Sequence, residues 1–276
     1  MLQNQLGLTR DQIRQAAPSV YAEAAHESRS ARYMFLPTSQ VLDALAEVGF
    51  VPTTAMQSVA RNKDRQAFTK HLLRLRKRED LGYSKPDVHE IVLVNSHDGA
   101  SAYNLYSGLF RLVCTNGLIR GDINETMKVY HKGNIVREVV ESTLQIAEES
   151  EGVMGEIAAM KETELSRDEQ LLLAEFAIRA RYDVDGENAE EIANKRALVP
   201  YQPQDFLWPR RRADVGYDLY TTLNVVQEHA LVGGSSRRDA RGARHTVRKI
   251  KGIDQTVSTN RLLWQFAQKM MELKSR

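Results

Sequence analysis

The sequence predicts an α+β fold: a central, mostly antiparallel β-sheet with flanking helices, followed by a helical, basic C-terminal region. Two observations lead to this class. Short aliphatic or alternating segments recur between residues 50 and 131, and their connections are too short for the crossovers that parallel strands need. Beyond residue 134, apolar residues recur instead with helical spacing. Strands grouped first and helices grouped later are typical of α+β proteins.

The sheet is expected to follow an N-terminal arm and one short helix. Residues 1–34 are predicted to be loosely held, because Pro18 interrupts their helical stretches. Thr38 or Ser39 then caps an amphipathic helix over residues 40–48, which Gly49 ends. Strands are predicted at residues 50–60, 68–78, 90–96, 102–106 and 127–131, with a further short one at 112–114.

The helical part has recognisable start and stop signals. Residues 134–160 are predicted to form one long helix, and Ser166-Arg-Asp-Glu169 is a capping box that opens the next. Residues 217–231 form a helix ended by Gly233-Gly234, and residues 257–273 form the last one. The predicted organisation is an arm (1–34), an α+β core (35–182), a polar linker (183–216) and a basic helical region (217–276).

Composition limits the class of protein. The chain has 276 residues and one cysteine, Cys114, so no disulfide can form within it and no cysteine-based zinc site exists. Cys114 lies among apolar residues, which favours a buried, inert thiol over a nucleophile. No apolar run is long enough to cross a bilayer, and the N-terminus lacks the pattern of a signal peptide. We therefore expect a cytoplasmic protein without a membrane partner.

Charge is unevenly distributed. Residues 138–191 contain sixteen acidic and four basic residues, a net of −12, whereas residues 201–276 contain fourteen basic and seven acidic ones, a net of +7. Such asymmetry suggests an acidic docking face beside a basic face for a polyanion. Alternatively, the two regions pair with each other within or between subunits. Complementary surfaces of this kind lead us to expect a homo-oligomer.

The densest basic segment spans residues 237–251, where seven cations accompany one aspartate. Nearby glycines make the segment flexible, and such a composition is typical of a loop that follows a phosphate backbone. The alternative is a solvated loop that binds the acidic helices. The candidate nucleic-acid ligands here are Arg237, Arg238, Arg241, Arg244, Arg248, Lys249 and Lys251.

Further cations extend this interpretation. Alternation on the second strand places Arg74, Arg76 and Arg78 on one face, although charged edge strands often serve only to prevent aggregation. Arg111 lies in an aliphatic segment and needs a carboxylate or a phosphate as partner. A third cluster, Arg210, Arg211 and Arg212, follows Trp208, whose ring either stacks on a base or serves as a packing anchor.

One segment invites a catalytic interpretation. His97 and Asp98 follow the aliphatic strand that begins at Glu90, and they place a histidine and a carboxylate side by side at the tip of a predicted hairpin. The dipeptide Asp98-Gly99 is, however, also what a two-residue hairpin turn requires. No metal-ligand set, nucleotide-binding glycine loop or hydrolase motif is present, so we predict no catalytic residues, no metal and no cofactor.

The same segment carries a family resemblance. His97-Asp98-Gly99 after a hydrophobic strand, followed by Arg111, Cys114 and Asn116, resembles the signature of a prophage- and plasmid-borne family, the domain of unknown function numbered 932. The resemblance covers residues 35–146 and 217–270, where Gly252-Ile-Asp-Gln255 and Asn260-Arg-Leu-Leu-Trp264 also match. It implies a mobile-element protein of the bacterial cytoplasm and supplies no reaction.

These observations favour a non-enzymatic nucleic-acid-binding protein of a mobile element. Because the cations are clustered, we expect the ligand to be DNA, in single-stranded form. The order of sheet and helix loosely resembles that of the single-strand annealing proteins that phages carry, which suggests an annealing role in recombination. One alternative is an interaction protein that counters a host defence system through its acidic region. A second alternative is a nuclease that uses Asp98, Glu90 and His97.

Overall fold

The computed structural model describes residues 1–30, 33–82, 85–111, 116–119, 127–238 and 241–275. It has the predicted α+β class, with a curled antiparallel sheet and helices. The chain divides into two units, Met1–Glu151 and Gly152–Arg276. This division lies inside residues 35–182, which the sequence predicted as a single core.

The first unit is built on a seven-stranded antiparallel sheet with the order β1-β2-β3-β4-β5-β6. The last strand, β7, pairs with the opposite end of β5 from β6. The strands are β1 Leu2–Gln3, β2 Phe50–Gln57, β3 His71–Lys77, β4 Asp87–Asn95, β5 Tyr103–Arg111, β6 Asn116–Ile119 and β7 Met127–Val129. The predicted strands are present, with β5 extending to Arg111, and the short strand considered at 112–114 lies outside the described residues.

Three helices pack on one face of this sheet: α1 Arg10–Ala16, α2 Thr38–Glu47 and α3 Ile135–Glu148. Alternation along β3 turns Leu73 and Leu75 towards them, and both are fully buried. The N-terminal arm predicted for residues 1–34 is corrected here. Ile13, Ala17 and Val20 are at most 3% exposed and belong to this core, because the turns on either side of Pro18 bury an apolar side chain each.

The connection between β4 and β5 also differs from the prediction. Gly99 has a φ of +80° and the Asp98 carboxylate accepts a hydrogen bond from Ala100, as a turn requires. The strands nevertheless end at Asn95 and resume at Tyr103, so the loop is longer than two residues. The Ser96 hydroxyl binds the backbone of Ser101 and keeps these residues out of the ladder.

The second unit is mainly helical. It comprises most of α4 Ser150–Glu162, then α5 Arg167–Tyr182, α6 Ala189–Ala197, α7 Leu219–Leu231 and α8 Ile253–Lys274. The long helix predicted over residues 134–160 is thus two helices, which Glu149 separates. The capping box of α5 is confirmed: the Ser166 hydroxyl accepts from the Glu169 amide at 3.3 Å, and the Glu169 carboxylate accepts from the Ser166 amide at 2.7 Å.

The predicted linker, residues 183–216, is folded into this second unit. It contains α6, and its Tyr201 and Phe206 are buried. Arg196 on α6 fixes it further, because its guanidinium binds Glu175 on α5 at 2.8 Å and the carbonyl of Tyr201 at 3.0 Å. The polar composition of residues 183–216 was therefore not sufficient evidence for a linker. Within the described ranges, no helix is long and apolar enough to cross a membrane.

Candidate nucleic-acid interface

The second unit carries a two-stranded hairpin between α7 and α8. Its strands are β8 Ser236–Arg238 and β9 Arg244–Thr246, paired so that Arg238 lies opposite Arg244. Backbone hydrogen bonds hold its base, from Gly234 to the carbonyl of Val247 at 2.7 Å and from Ile250 to the carbonyl of Leu231 at 2.8 Å. We call β8, β9 and the residues up to Lys251 the basic hairpin.

All seven predicted cations of the basic hairpin are exposed: Arg237, Arg238, Arg241, Arg244, Arg248, Lys249 and Lys251. Three of them make long or local contacts within the unit. Arg237 lies 3.3 Å from the carboxylate of Asp205, Arg238 donates to the carbonyl of Gly242, and Arg244 donates to the hydroxyl of Ser236. Arg237, Arg238 and Arg244 line an open depression of about 310 Å³ together with Ser236. The hairpin therefore presents a concave surface of positive charge.

A buried arginine that the sequence did not single out positions this hairpin. Arg181 on α5 is 8% exposed and donates to the carbonyl of Ala230, at the end of α7, and to the carbonyl of Arg248, just after β9. Its guanidinium also lies over the ring of Tyr182. Because a buried guanidinium needs acceptors, Arg181 fixes the hairpin relative to α5 and α7. The sequence could have indicated that Arg181 is buried, because it lies among the apolar residues of α5.

The three arginines at positions 210–212 have different partners in the structure. Arg211 forms two hydrogen bonds of 2.8 and 2.7 Å to the carboxylate of Glu228, and Arg210 lies 3.4 Å from the same group. The hydrogen bond to Glu228 raises the pKa of Arg211. The prediction of three phosphate ligands here is corrected, because two of these arginines are engaged with a buried carboxylate. Arg212 is exposed.

Trp208, just before this cluster, is 72% exposed, whereas the neighbouring Phe206 is fully buried. Phe206 is therefore the packing anchor of this segment. The backbone of Trp208 is nevertheless fixed, because its carbonyl accepts from Nε2 of His229 at 2.7 Å. On the other side of the ring, Nδ1 of His229 lies 2.5 Å from the hydroxyl of Ser235, at the start of the basic hairpin. Burial lowers the pKa of His229, which keeps this bridge neutral.

The basic face predicted on β3 is buried and neutralised. Arg74 and Arg76 do share one face, but they are 7% and 0% exposed, and each lies 2.7 Å from the carboxylate of Glu90 on β4. Arg74 also donates to the carbonyl of Leu118 on β6, and Arg76 stacks on the ring of Phe110 at 4.0 Å. The sheet curls over this face, so the prediction of an exposed basic surface is corrected.

The remaining two candidates of the first unit, Arg78 and Arg111, have different surroundings. Arg111, at the end of β5, is 8% exposed and stands opposite Asp87 in the β4–β5 ladder. Asp87 is 4% exposed, so this position favours a carboxylate partner over a phosphate. Arg78 follows β3 in a short 3-10 helix and is exposed. The hairpin thus holds seven predicted cations, all exposed, whereas Arg74, Arg76 and Arg111 are buried within the first unit and Arg78 is an exposed residue of that unit.

His97 lies in a buried cluster of histidines on the helix-covered face of the sheet. The hydroxyl of Thr38, on α2, lies 3.0 Å from Nε2 of His71 and 3.2 Å from Nε2 of His97. His131 donates to Asn95 at 3.0 Å, and its ring centroid is 6.4 Å from that of His97. Thr38, the expected helix cap, thus binds histidines instead. In the sequence these residues are too far apart to indicate a cluster.

The histidines of this cluster are held neutral. Burial, followed by the neighbouring His97, lowers the pKa of His71 from 6.5 to about 3. Burial, followed by His131, lowers the pKa of His97 to about 4, and burial lowers the pKa of His131 as well. In the described part of the chain, no group of three or more His, Cys, Asp and Glu side chains is arranged to hold a metal ion.

The residues proposed for a nuclease do not converge. Glu90 binds Arg74 and Arg76 on the curled face, whereas His97 contacts Thr38 on the opposite, helix-covered face. Strand alternation explains this separation. Asn95, which binds His131 in the histidine cluster, is an odd number of positions from Glu90 on β4, so the two side chains point to opposite faces. Cys114 lies outside the described residues.

Comparison with known proteins adds the family. The model of the family named Domain of unknown function (DUF932) matches residues 25–264. Two proteins of Escherichia coli (strain K12), UPF0380 protein YafZ and UPF0380 protein YfjQ, are each 38% identical over 264 residues, which is 96% of this chain and 92% of each relative. No solved structure matches. Neither relative's name states a ligand or an activity.

Proposed function

The chain belongs to the DUF932 family, and we propose that it is a nucleic-acid-binding protein that contacts phosphates with its basic hairpin. The observation that carries the proposal is the exposure of seven cations on one hairpin, while Arg74 and Arg76 of the first unit are buried on a carboxylate. Densely packed exposed cations repel one another, and a polyanion relieves this repulsion while releasing its own counterions.

Single-stranded DNA is the expected ligand, bound without hydrolysis. The hairpin is narrow, its cations lie on both strands, and the depression between them has the size of a small group rather than of a duplex groove. A flexible single strand can place its phosphates at these cations one after another. In this proposal the protein acts for a mobile element in the bacterial cytoplasm.

The proposal is tested by the salt dependence of binding. We expect micromolar or tighter binding of a labelled oligonucleotide, as is usual for polyelectrolyte contacts at moderate salt. Replacing Arg237, Arg238 and Arg244 by serine should reduce the slope of log K against log salt by about 2, because about three phosphate contacts are lost. Absence of binding at about 50 mM salt, where such contacts are strongest, contradicts the proposal.

A matched control is available in the first unit. Arg61, Lys63 and Arg65 are exposed cations around a short 3-10 helix. Replacing these three by serine removes the same total charge and should leave the slope close to that of the unchanged protein. An equal loss in both variants would show that net charge, and not the hairpin, accounts for binding.

Self-association would strengthen this function. Several hairpins in one assembly would act on one strand at a high effective concentration, so weak contacts from each chain would add up. Light scattering with and without DNA tests this part of the proposal. A mass of one chain, 31.3 kDa, across protein concentrations, and of one chain plus one oligonucleotide when DNA is added, contradicts it.

A further inference from the structure

We propose that Trp208 is a stacking platform for an unpaired base and that it makes the basic hairpin selective for single-stranded nucleic acid. This inference rests on the proposed function of the hairpin. Trp208 is 72% exposed although it is large and apolar, whereas the second tryptophan, Trp264, is fully buried. Its neighbour Phe206 already provides the packing contact of the segment.

The ring is exposed, but the backbone that carries it is held in place. The carbonyl of Trp208 accepts from His229, and the following Arg210 and Arg211 bind Glu228 on the same helix, α7. A free loop would lose conformational entropy on binding a ligand, whereas a fixed backbone loses little. An exposed aromatic ring on a fixed backbone is suited to receive a planar ligand.

This platform and the basic hairpin are connected at three points. Nδ1 of His229 lies 2.5 Å from the hydroxyl of Ser235, which precedes β8. Arg210 donates to the carbonyl of Gly233, at the base of the hairpin. Arg237 lies 3.3 Å from Asp205, in the turn before Trp208. Trp208 and the hairpin cations therefore form one composite surface, which His229 bridges.

The chemistry of this surface identifies the form of the ligand. Contacts to phosphates alone do not identify a single strand, because single strands and duplexes present the same phosphate groups. An unpaired base has a free face that a tryptophan ring can cover, whereas the faces of bases in a duplex are occupied by their neighbours. A composite of cations and one exposed tryptophan therefore favours single strands.

The test uses the full chain and two oligomers of about 15 nucleotides, one of thymidylate and one of the same length without bases. Trp208→Ala should weaken binding of the thymidylate oligomer about tenfold, as is usual for the loss of one stacked base, and should leave binding of the baseless oligomer unchanged. Thymidylate should also quench tryptophan fluorescence, and Trp208→Phe should abolish that quenching, because the buried Trp264 remains shielded.

The outcomes separate the two proposals. If the thymidylate oligomer binds without quenching and Trp208→Ala binds both oligomers like the unchanged protein, the stacking platform is wrong and the hairpin contact stands. If neither oligomer binds, the proposed function itself is wrong. Trp208→Phe should retain most of the affinity, because a phenylalanine ring still stacks, and its circular dichroism should match that of the unchanged protein.

Discussion

Arginines on β-strands occur in both units, and they have opposite surroundings. On β3, Arg74 and Arg76 are almost completely buried, and one carboxylate, Glu90, neutralises both at 2.7 Å. On the basic hairpin, the arginines are exposed, and Arg237 lies 3.3 Å from its carboxylate with 42% of its side chain accessible. The first group stabilises a fold, and the second is available to a ligand.

What separates them is whether another layer covers the strand. The sheet of the first unit curls so that the carbonyl of Leu118, on β6, reaches Arg74, and Gly117 leaves the space for this guanidinium. Among the residues that the structure describes, the hairpin forms a sheet of two strands with no third strand beside it. Buried charges must be paired within the protein, whereas exposed ones are satisfied by water until a polyanion displaces it.

Removing the shared carboxylate should have the largest effect. We expect Glu90→Gln to destabilise the first unit by about 3–5 kcal/mol, because it leaves two buried guanidinium groups without a counter-charge. Urea unfolding followed by circular dichroism measures this loss.

The matched control is an exposed ion pair of the same unit. Arg10 and Asp43 lie 2.7 Å apart with side chains 75% and 55% accessible. Asp43→Asn should cost less than about 1 kcal/mol, since solvent screens such pairs. Similar losses in the two variants would remove the distinction between buried and exposed charge on which the comparison rests.

The second largest loss of stability is expected at acid pH, because protonation adds charge to the buried histidine cluster of the first unit. The folded pKa values of His71 and His97, about 3 and about 4, lie below the unfolded value of 6.5. The unfolded chain therefore binds protons first, so stability is complete above pH 6.5 and is lost as the pH falls towards 4. At about pH 5.5 each histidine contributes a loss of about 1.4 kcal/mol.

Hydrogen exchange of the peptides that contain β3 and β4 measures this loss between pH 7 and 5.5. The double variant His71→Gln/His97→Gln should lose most of the pH dependence, whatever its stability at neutral pH. His245→Gln, on β9 in the other unit, should keep it. Protection in β3 and β4 that does not change over this range would contradict a neutral, buried cluster.

A glycine at the base of the hairpin tests how firmly the exposed cations are positioned. Gly233 has a φ of +76°, and an added Cβ would lie 2.3 Å from the carbonyl oxygen of Val247. We expect Gly233→Ala to cost about 2 kcal/mol through backbone strain and this contact, and to weaken oligonucleotide binding although no charge changes.

Gly242 provides the control, because its φ is +81° and an added Cβ there meets nothing within 4 Å. Gly242→Ala should carry only the backbone penalty, about 1 kcal/mol. Thermal unfolding and fluorescence anisotropy of both variants separate the two contributions. Equal binding by both would show that the base of the hairpin does not position the cations.

Several elements of this fold are predictable from local pattern. Ser166 and Glu169 form the expected capping box, and alternation placed Arg74 and Arg76 on the same face. Local pattern did not indicate what covers that face, because the curl depends on pairing between residues far apart in sequence. Glu90 was the overlooked signal, since a carboxylate at the start of an aliphatic strand needs partners.

The candidate site was predictable in composition and not in geometry. The seven cations of the hairpin were found by counting charge, and their exposure agrees with a surface segment. Glu228, which engages Arg210 and Arg211, and His229, which bridges Trp208 to the hairpin, lie on one helix surrounded by apolar residues. A helical period shows which residues face inward, but it does not show which distant loop they bind.

The smallest effect on stability is expected from the hairpin arginines themselves. Replacing Arg237, Arg238 and Arg244 by serine should change the free energy of unfolding by no more than about 0.5 kcal/mol, because exposed side chains contribute little to folding. The same triple variant should lose much of its affinity for an oligonucleotide at low salt. Glu90→Gln should show the opposite pattern. Its free energy of unfolding should be much lower, but the molecules that remain folded should keep their affinity for the oligonucleotide. Urea unfolding and anisotropy titration of both variants measure this contrast, and a triple variant that is as destabilised as Glu90→Gln would mean that the hairpin cations, too, serve the fold.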